Sequence, residues 1–211
     1  MRIIEPSVEL ISELDAEKIM KHIELAGRVC YKSESRISDK SAEKFIANII
    51  KSGHESVIEH VSLTFKIICD RGVTHEIVRH RLASYSQAST RYCNYASDKF
   101  GNELTFIKPC FWSEDDANYK LWAETMRLVE KNYLAMIANG AQPQQARSIL
   151  PNSLMTEIFM TANLRELRHF LKLRCSKRAH PQMREVALKI YKILNESLPV
   201  IFSDIAVDEN D

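Results

Sequence analysis

The sequence predicts a mixed α/β fold: a single domain over residues 1–211 with one central sheet flanked by several helices. Three observations predict it. Helical periodicity dominates, with apolar residues recurring three and four apart. A few short segments alternate instead, and they do not follow the helices in a regular βαβ rhythm. No internal repeat, low-complexity tract or Pro/Gly-rich linker divides the chain.

The elements follow in order. Residues 8–13 read as a short strand. Residues 15–28 form a helix with Ile19, Ile23 and Ala26 on one stripe. Residues 39–52 repeat that pattern through Ala42, Phe45, Ile46, Ile49 and Ile50, and Gly53 stops it. Over 62–69, Leu63, Phe65, Ile67 and Cys69 point one way, as in a half-buried strand. Residues 72–81 read as helical, 82–98 as an ordered loop rich in Ser, Tyr and Asn, and 103–107 as a strand. Ser113-Glu114-Asp115-Asp116 resembles a capping box that opens a long helix to about Ala138. Pro143 suits the first turn of another, which Pro151 ends. Residues 154–162 read as a strand, Asn163 caps a helix through Arg174, and Pro181 opens a last one to about Ser197.

Composition narrows the function. Hydrophobic residues make up 45% of the chain and charged residues 27%, ordinary values for a folded domain with a sizeable core. A net charge of +1 gives no global basic excess for coating nucleic acid, and there is no acidic tail beyond the short Asp208-Glu209-Asn210-Asp211 end. The N-terminus lacks a signal-peptide apolar run, and no stretch approaches the length of a membrane span, so a cytoplasmic setting is expected. The cysteines, Cys30, Cys69, Cys93, Cys110 and Cys175, are scattered and odd in number, which argues against a disulfide framework or a zinc knuckle. Only five glycines occur, with no GxGxxG and no GxxxxGK[ST]. A dinucleotide would therefore have to be held by side-chain cations or helix N-termini rather than a Gly-rich turn.

The densest polar cluster runs from Arg79 to Tyr92, with three arginines, a histidine, four Ser/Thr hydroxyls and two tyrosines. Guanidinium forks bind phosphate bidentately and hydroxyls add short hydrogen bonds, so the set suits an anion; a solvated basic loop is the bland alternative. Two histidine pairs imitate metal motifs and fail on geometry. His75 and His80 stand five apart, roughly 140° around a helix, and His54 and His60 six apart, roughly 240°. Neither pair shares a helical face, so no metal site is expected. On the helix from Asn163, Leu164, Leu167 and Leu171 form the apolar stripe, and Arg165, Arg168, His169 and Lys172 the polar side. Arg174 falls with Leu167 and Phe170 instead. A cation on a core-facing stripe marks a ligand site if it is unpaired, or simply offsets the helix dipole in a frayed last turn.

These residues carry a resemblance. Arg79-His80-Arg81, seven residues and then Ser89 match the RHR-x7-S signature of flavin-dependent thymidylate synthases. Gly53-His54-Glu55-Ser56 with Glu59-His60 resembles the family's GHES/T…EH segment, and Glu76 stands at its acid-or-amide position. Gln87, Thr90 and Arg91 fit the Q-x-S-x-R pattern around Ser89, Asn163-Leu164-Arg165 an N-x-R element and Leu173-Arg174 an LR element; Arg147 stands where the family has an arginine. The resemblance runs in order from about residue 25 to 190.

The resemblance implies a homotetramer with active sites at subunit interfaces and FAD as cofactor. It implies reductive methylation of dUMP to dTMP, with 5,10-methylenetetrahydrofolate as carbon donor and NADPH as reductant, and with no nucleic-acid or membrane partner. It assigns Ser56, Arg79, His80, Arg81, Gln87, Asn163, Leu164, Arg165 and His169 to the flavin. It assigns Glu76, Ile77, Val78, Arg79, Gln87, Ala88, Ser89, Thr90, Arg91, Arg147 and Arg174 to dUMP, and His54 to the folate side. Arg174 and Ser89 are the residues nearest the chemistry, Arg174 as the cation that favours the ionised pyrimidine and Ser89 as a hydrogen-bonding positioner. Three departures stand out: His169 where members often have Asn, Ala88 where some carry Glu, and His180-Pro181-Gln182 in place of a Q-W-E run. Two rival readings use the same residues: a single-strand nucleic-acid module stacking bases on Tyr85 and Tyr92, and a structural oligomer whose arginines pair acidic helices.

Overall fold

A computed structural model describes residues 1–207; the acidic end, 208–211, lies outside them. The strands are β1 (Arg2–Ile4), β2 (Ser7–Leu10), β3 (Ser62–Asp70), β4 (Ala83–Gln87), β5 (Thr105–Ile107) and β6 (Met155–Asn163). The helices are α1 (Ala16–Val29), α2 (Ser41–Lys51), α3 (Arg71–Ile77), α4 (Ala117–Ala138), α5 (Pro143–Ala146), α6 (Leu164–Arg174), α7 (Pro181–Ser197) and α8 (Pro199–Phe202). The mixed α/β class stands, but the single sheet becomes two. Four strands pair in the order β2-β3-β6-β4, and β1 pairs in parallel with β5 in a separate two-stranded sheet. Strand β5 falls within the strand expected at 103–107, whereas its partner β1, three residues long, is too short to show alternation.

Contacts divide the chain into two compact units, each assembled from three segments. The first comprises Met1–Ser7, Ile67–Arg79 and Tyr85–Phe159. Its core gathers Tyr95, Leu104, Phe106, Met126, Tyr133, Ala146 and Leu154, supplied by β5, α4, α5 and the approach to β6. Asp116 alone caps α4, its carboxylate accepting from Asn118 N at 2.7 Å, so the helix starts at Ala117 rather than at the predicted Ser113 box. Helix α3 stops at Ile77, four residues short of expectation. Asp70 caps its start, accepting from Val73 N at 2.7 Å, and Tyr85 Oη donates to the terminal Ile77 carbonyl at 2.9 Å. That hydroxyl satisfies a carbonyl that another helical turn would have used.

The second unit comprises Val8–Lys66, His80–Ser84 and Met160–Asp211, with Asp208–Asp211 outside the described residues. Here α1 packs on α2, and α6 on α7, burying Ile23, Ile46, Ile49, Leu167, Phe170, Leu171, Met183, Ile190 and Leu194. Gly27 permits the α1–α2 approach: a Cβ there would stand 2.7 Å from the Phe45 ring. Glu24, 1% exposed, is satisfied by Arg28 Nη2 at 2.7 Å and by the Ser41 hydroxyl, which donates at 2.8 Å. Thr64 and Thr161 join β3 to β6 through their hydroxyls, 2.9 Å apart. Residues 82–98, expected as a loop, contain the edge strand β4; its Ser, Ala and Gln are weak strand formers, and pairing beside β6 decides the conformation.

Asn163 caps α6 as expected, its side-chain oxygen accepting from Glu166 N at 2.9 Å. The polar side of α6 is corrected in one respect: Arg168 is 1% exposed rather than solvated. It forks onto Asp204 at 2.6 and 2.7 Å, donates through Nε to Glu55 at 3.1 Å, and also reaches the Ile201 carbonyl. Arg168→Ala would strand these partners without the charge that compensates them. We expect it to destabilise the protein by about 3 kcal/mol, read as a lower urea midpoint at unchanged slope.

Candidate active site

The predicted site residues fall into two side-chain clusters, one in each unit. In the second unit, the α6 cap and the short segment after Arg79 converge. His80 leaves the helical path and buries its ring, 4% exposed, against the edge of Phe170 with centroids 4.8 Å apart. Its Nδ1 lies 3.0 Å from Glu166 Oε1, and Arg174 Nε donates to its Nε2 at 3.1 Å. Because a guanidinium only donates, Nε2 must hold a lone pair and the proton must sit on Nδ1. His80 is therefore neutral. Burial lowers its pKa below the ordinary imidazole range, Glu166 opposes the shift, and Arg174 and His169 reinforce it.

Beside this chain of contacts lies a cleft of about 640 Å³, lined by Glu55, Glu59, Leu82, Asn163, Arg165, Glu166, His169 and Lys172. Arg165 pairs with Glu59 at 2.5 Å in an exposed ion pair, and Lys172 reaches Glu55 at 3.4 Å. His80, Glu166 and His169 offer ligand atoms within 4.8 Å of one another. A metal fits them poorly, because His80 Nε2 already accepts from a cation and Nδ1 carries the proton.

In the first unit, β4 leads into a turn built on Ser89. Its carbonyl accepts from Tyr92 N at 3.1 Å and Cys93 N at 2.9 Å, and its hydroxyl accepts from Arg91 N at 3.3 Å. One buried hydroxyl anchors the approach to that turn. Thr156 Oγ1 accepts from Gln87 Nε2 at 3.2 Å and from Arg71 Nη1 at 3.5 Å. Arg71 also donates to the Ala88 carbonyl at 3.3 Å, Ala88 N donates to Glu157 O at 2.9 Å, and Gln87 Nε2 reaches Thr74 at 3.2 Å. The backbone before Ser89 is thus fixed on both its donor and acceptor sides. No imidazole or carboxylate bonds the Ser89 hydroxyl among the described residues, so nothing there activates it as a nucleophile.

The predicted residues divide accordingly. His80, Asn163, Arg165, His169 and Arg174 gather along α6 in the second unit, where Arg81, Ser56 and His54 are exposed. Glu76, Gln87, Ala88, Ser89, Thr90 and Arg91 belong to the first unit, with Arg79, Val78 and Arg147 exposed there. Arg79, Arg81, Arg91 and Arg147 have no carboxylate partner among the described residues. Arg79 instead donates to the His75 carbonyl at 3.2 Å, and Arg91 lies over the Tyr92 ring at 5.4 Å. The side chains of Ile77 and Leu164 are fully buried, so either residue would meet a ligand only through its backbone. The Leu164 N–H already donates to Val61 O at 2.9 Å. Glu166, Arg71 and Thr156 went unnoticed in the sequence. An acid in a helix first turn, a helix-opening arginine and a strand threonine each have an everyday explanation.

The family described as "Thymidylate synthase complementing protein" matches residues 9–200. The chain belongs to the flavin-dependent thymidylate synthase family. It is 35% identical to the flavin-dependent thymidylate synthase of Geobacter sulfurreducens over 189 residues, covering 86% of this chain and 80% of that one. It is 42% identical to the enzyme of that name from Pyrococcus furiosus over 159 residues, covering 75% and 64%. A solved structure of the UMP/dUMP methylase PolB from Streptomyces cacaoi, bound with 5-Br dUMP, shares the fold with a TM-score of 0.77. Coverage is 96% of both chains at 23% identity. Among the described residues the cysteines form no disulfide: Cys69 and Cys175 are buried, and burial pushes the Cys175 thiol up to about 12 and Cys69 higher still.

The Thr156 anchor is testable by itself. Thr156→Val keeps the shape and takes from Gln87 Nε2 and Arg71 Nη1 one of the two acceptors each has. It should cost about 2 kcal/mol by urea unfolding, with a change below about 0.5 kcal/mol contradicting the shared-acceptor geometry.

Proposed function

We propose that this chain converts dUMP to dTMP by reductive methylation, with 5,10-methylenetetrahydrofolate as carbon donor and NADPH as the reductant of bound FAD. The observation that carries the reading is the α6 cleft, which gathers Asn163, Arg165 and His169, three residues the family resemblance assigns to the flavin. The continuous family match over residues 9–200 supports one functional domain. A homotetramer with sites at subunit seams, in the cytoplasm, completes the reading.

The residues present fit the cofactor. Asn163 supplies an amide donor and His169 a ring N–H, and Arg165 and Lys172 supply charge for a pyrophosphate. Glu59 holds Arg165 only through an exposed, solvent-screened pair, so an incoming phosphate displaces it at little cost. Arg79, Arg81 and Ser56, exposed, complete the flavin contacts. When bound, flavin supplies the reducing equivalents that turn the folate one-carbon unit into a methyl group.

The chain's own groups bind and polarise dUMP. Arg91 and Arg147 meet the phosphate, while Gln87, Ser89 and Thr90 position the nucleotide by hydrogen bonds; the fixed Ser89 turn lowers the ordering cost of binding. Glu76 and the backbone at Ile77 and Val78 line the same substrate. Arg174 sits against the uracil and favours ionisation at N3, which makes C5 more nucleophilic. His54 faces the folate.

The nucleic-acid rival keeps one open stacking ring, the exposed Tyr92, because Tyr85 is half-buried with its hydroxyl on the Ile77 carbonyl, and the net charge of +1 gives it no basic surface to add. The structural-oligomer rival fits Arg168, which pairs with Asp204 and Glu55, and fails for Arg79, Arg81, Arg91 and Arg147.

Purified protein should be yellow and should form dTMP from dUMP when given NADPH and methylenetetrahydrofolate. Arg174→Ala should lower turnover by at least about a hundredfold while keeping bound flavin. Unchanged turnover in that variant removes Arg174 from the reaction, and a colourless active protein removes the flavin.

A further inference from the structure

Contacts along α6, from Glu166 in its first turn to Arg174 at its end, form an ordered chain of three groups. Glu166 Oε1 accepts from His80 Nδ1 at 3.0 Å, and His80 Nε2 accepts from Arg174 Nε at 3.1 Å. The first two side chains are 6% and 3% exposed, so water does not compete for them. Phe170 packs edge-on against the imidazole at 4.8 Å and limits its rotation. Glu166 is itself set in place, because its backbone N–H is the group that Asn163 caps. The chain therefore runs from the helix cap to the guanidinium through fixed parts.

Holding Nε of an arginine sets the plane of its guanidinium and hence the directions of its terminal nitrogens. An imidazole does this only as an acceptor. With its proton on Nε2 it would point a donor at a donor, and the contact would open. The carboxylate at Nδ1 forbids that tautomer. We propose that Glu166, acting through His80, is the positioning residue for Arg174. It holds the imidazole proton on Nδ1, so that Nε2 stays the acceptor that aims the guanidinium. The inference rests on the reading of Arg174 at the pyrimidine and adds a residue that the family resemblance did not assign.

The charged and titratable groups that face His80 are Glu166, Arg174 and His169, whose ring centroid is 5.6 Å away. Glu166 favours the imidazolium, whereas Arg174 and His169 disfavour it. Protonation of His80 converts Nε2 into a donor and releases Arg174, so turnover falls as pH drops through the lowered pKa of His80. Removing the Glu166 charge lowers that pKa further. The acidic limb of kcat then moves to lower pH, which a merely structural residue would not cause.

The experiment uses the flavin-loaded protein. Nitrogen NMR on histidine-labelled enzyme should show His80 protonated at Nδ1 and bare at Nε2; the opposite tautomer overturns the proposal. Glu166→Gln keeps an acceptor for Nδ1–H, so it should retain most of kcat with its acidic limb displaced to lower pH. Glu166→Ala should lower kcat by about tenfold, with a smaller change in KM for dUMP and an unaltered flavin spectrum. An acidic limb that stays in place in Glu166→Gln, or loss of flavin from it, overturns the proposal even if Glu166→Ala fails to fold. Arg174→Ala separates the two levels. If it remains active, the reading of Arg174 falls; if it is inactive while the Glu166 variants match the parent in kcat and limb position, only the positioning falls.

Discussion

A charge withdrawn from water must be met by another, and α6 is where this requirement is most concentrated. Eleven residues carry Arg165, Glu166, Arg168, Lys172 and Arg174, yet the helix must also bury Leu164, Leu167, Phe170 and Leu171. The fold resolves the conflict by bringing partners from far along the chain. Asp204 and Glu55 come to Arg168, and His80 lies between Glu166 and Arg174. Charge pairing thus helps hold the His80 segment and the α8 end in place, together with the burial of Ile201 and Phe202 and the packing of His80 on Phe170.

Much of the framework was legible in the sequence because local rules decided it. Asn163 caps α6 and Pro181 opens α7, as a side-chain acceptor and a fixed φ require. Strand β3 follows its alternation of Leu63, Phe65, Ile67 and Cys69. The failures share a cause. Strand β4 exists because β6 offers a free edge, α3 stops because a distant tyrosine takes its last carbonyl, and Arg168 is buried because residues 36 and 113 positions away neutralise it. Each depends on a partner that periodicity cannot see.

The site divides in the same way. The arginines and Ser89 announced themselves by density and by motif spacing. Glu166 did not, since an acid at the third position of a helix already has an adequate explanation in the dipole. Its second duty shows only when His80 is found folded against it. Thr156 likewise looked like a strand residue until two donors were seen to converge on its one oxygen.

The buried thiols have a consequence for how the protein meets oxidants. Peroxides and electrophiles attack the thiolate, and a thiol held protonated to about pH 12, as at Cys175, offers almost none at neutral pH. Cys69 is shielded further still. Cys175 directly follows Arg174, so the end of α6 is shielded from alkylation and sulfenylation from within. Oxidative damage would begin at the surface cysteines Cys30 and Cys110, outside α6.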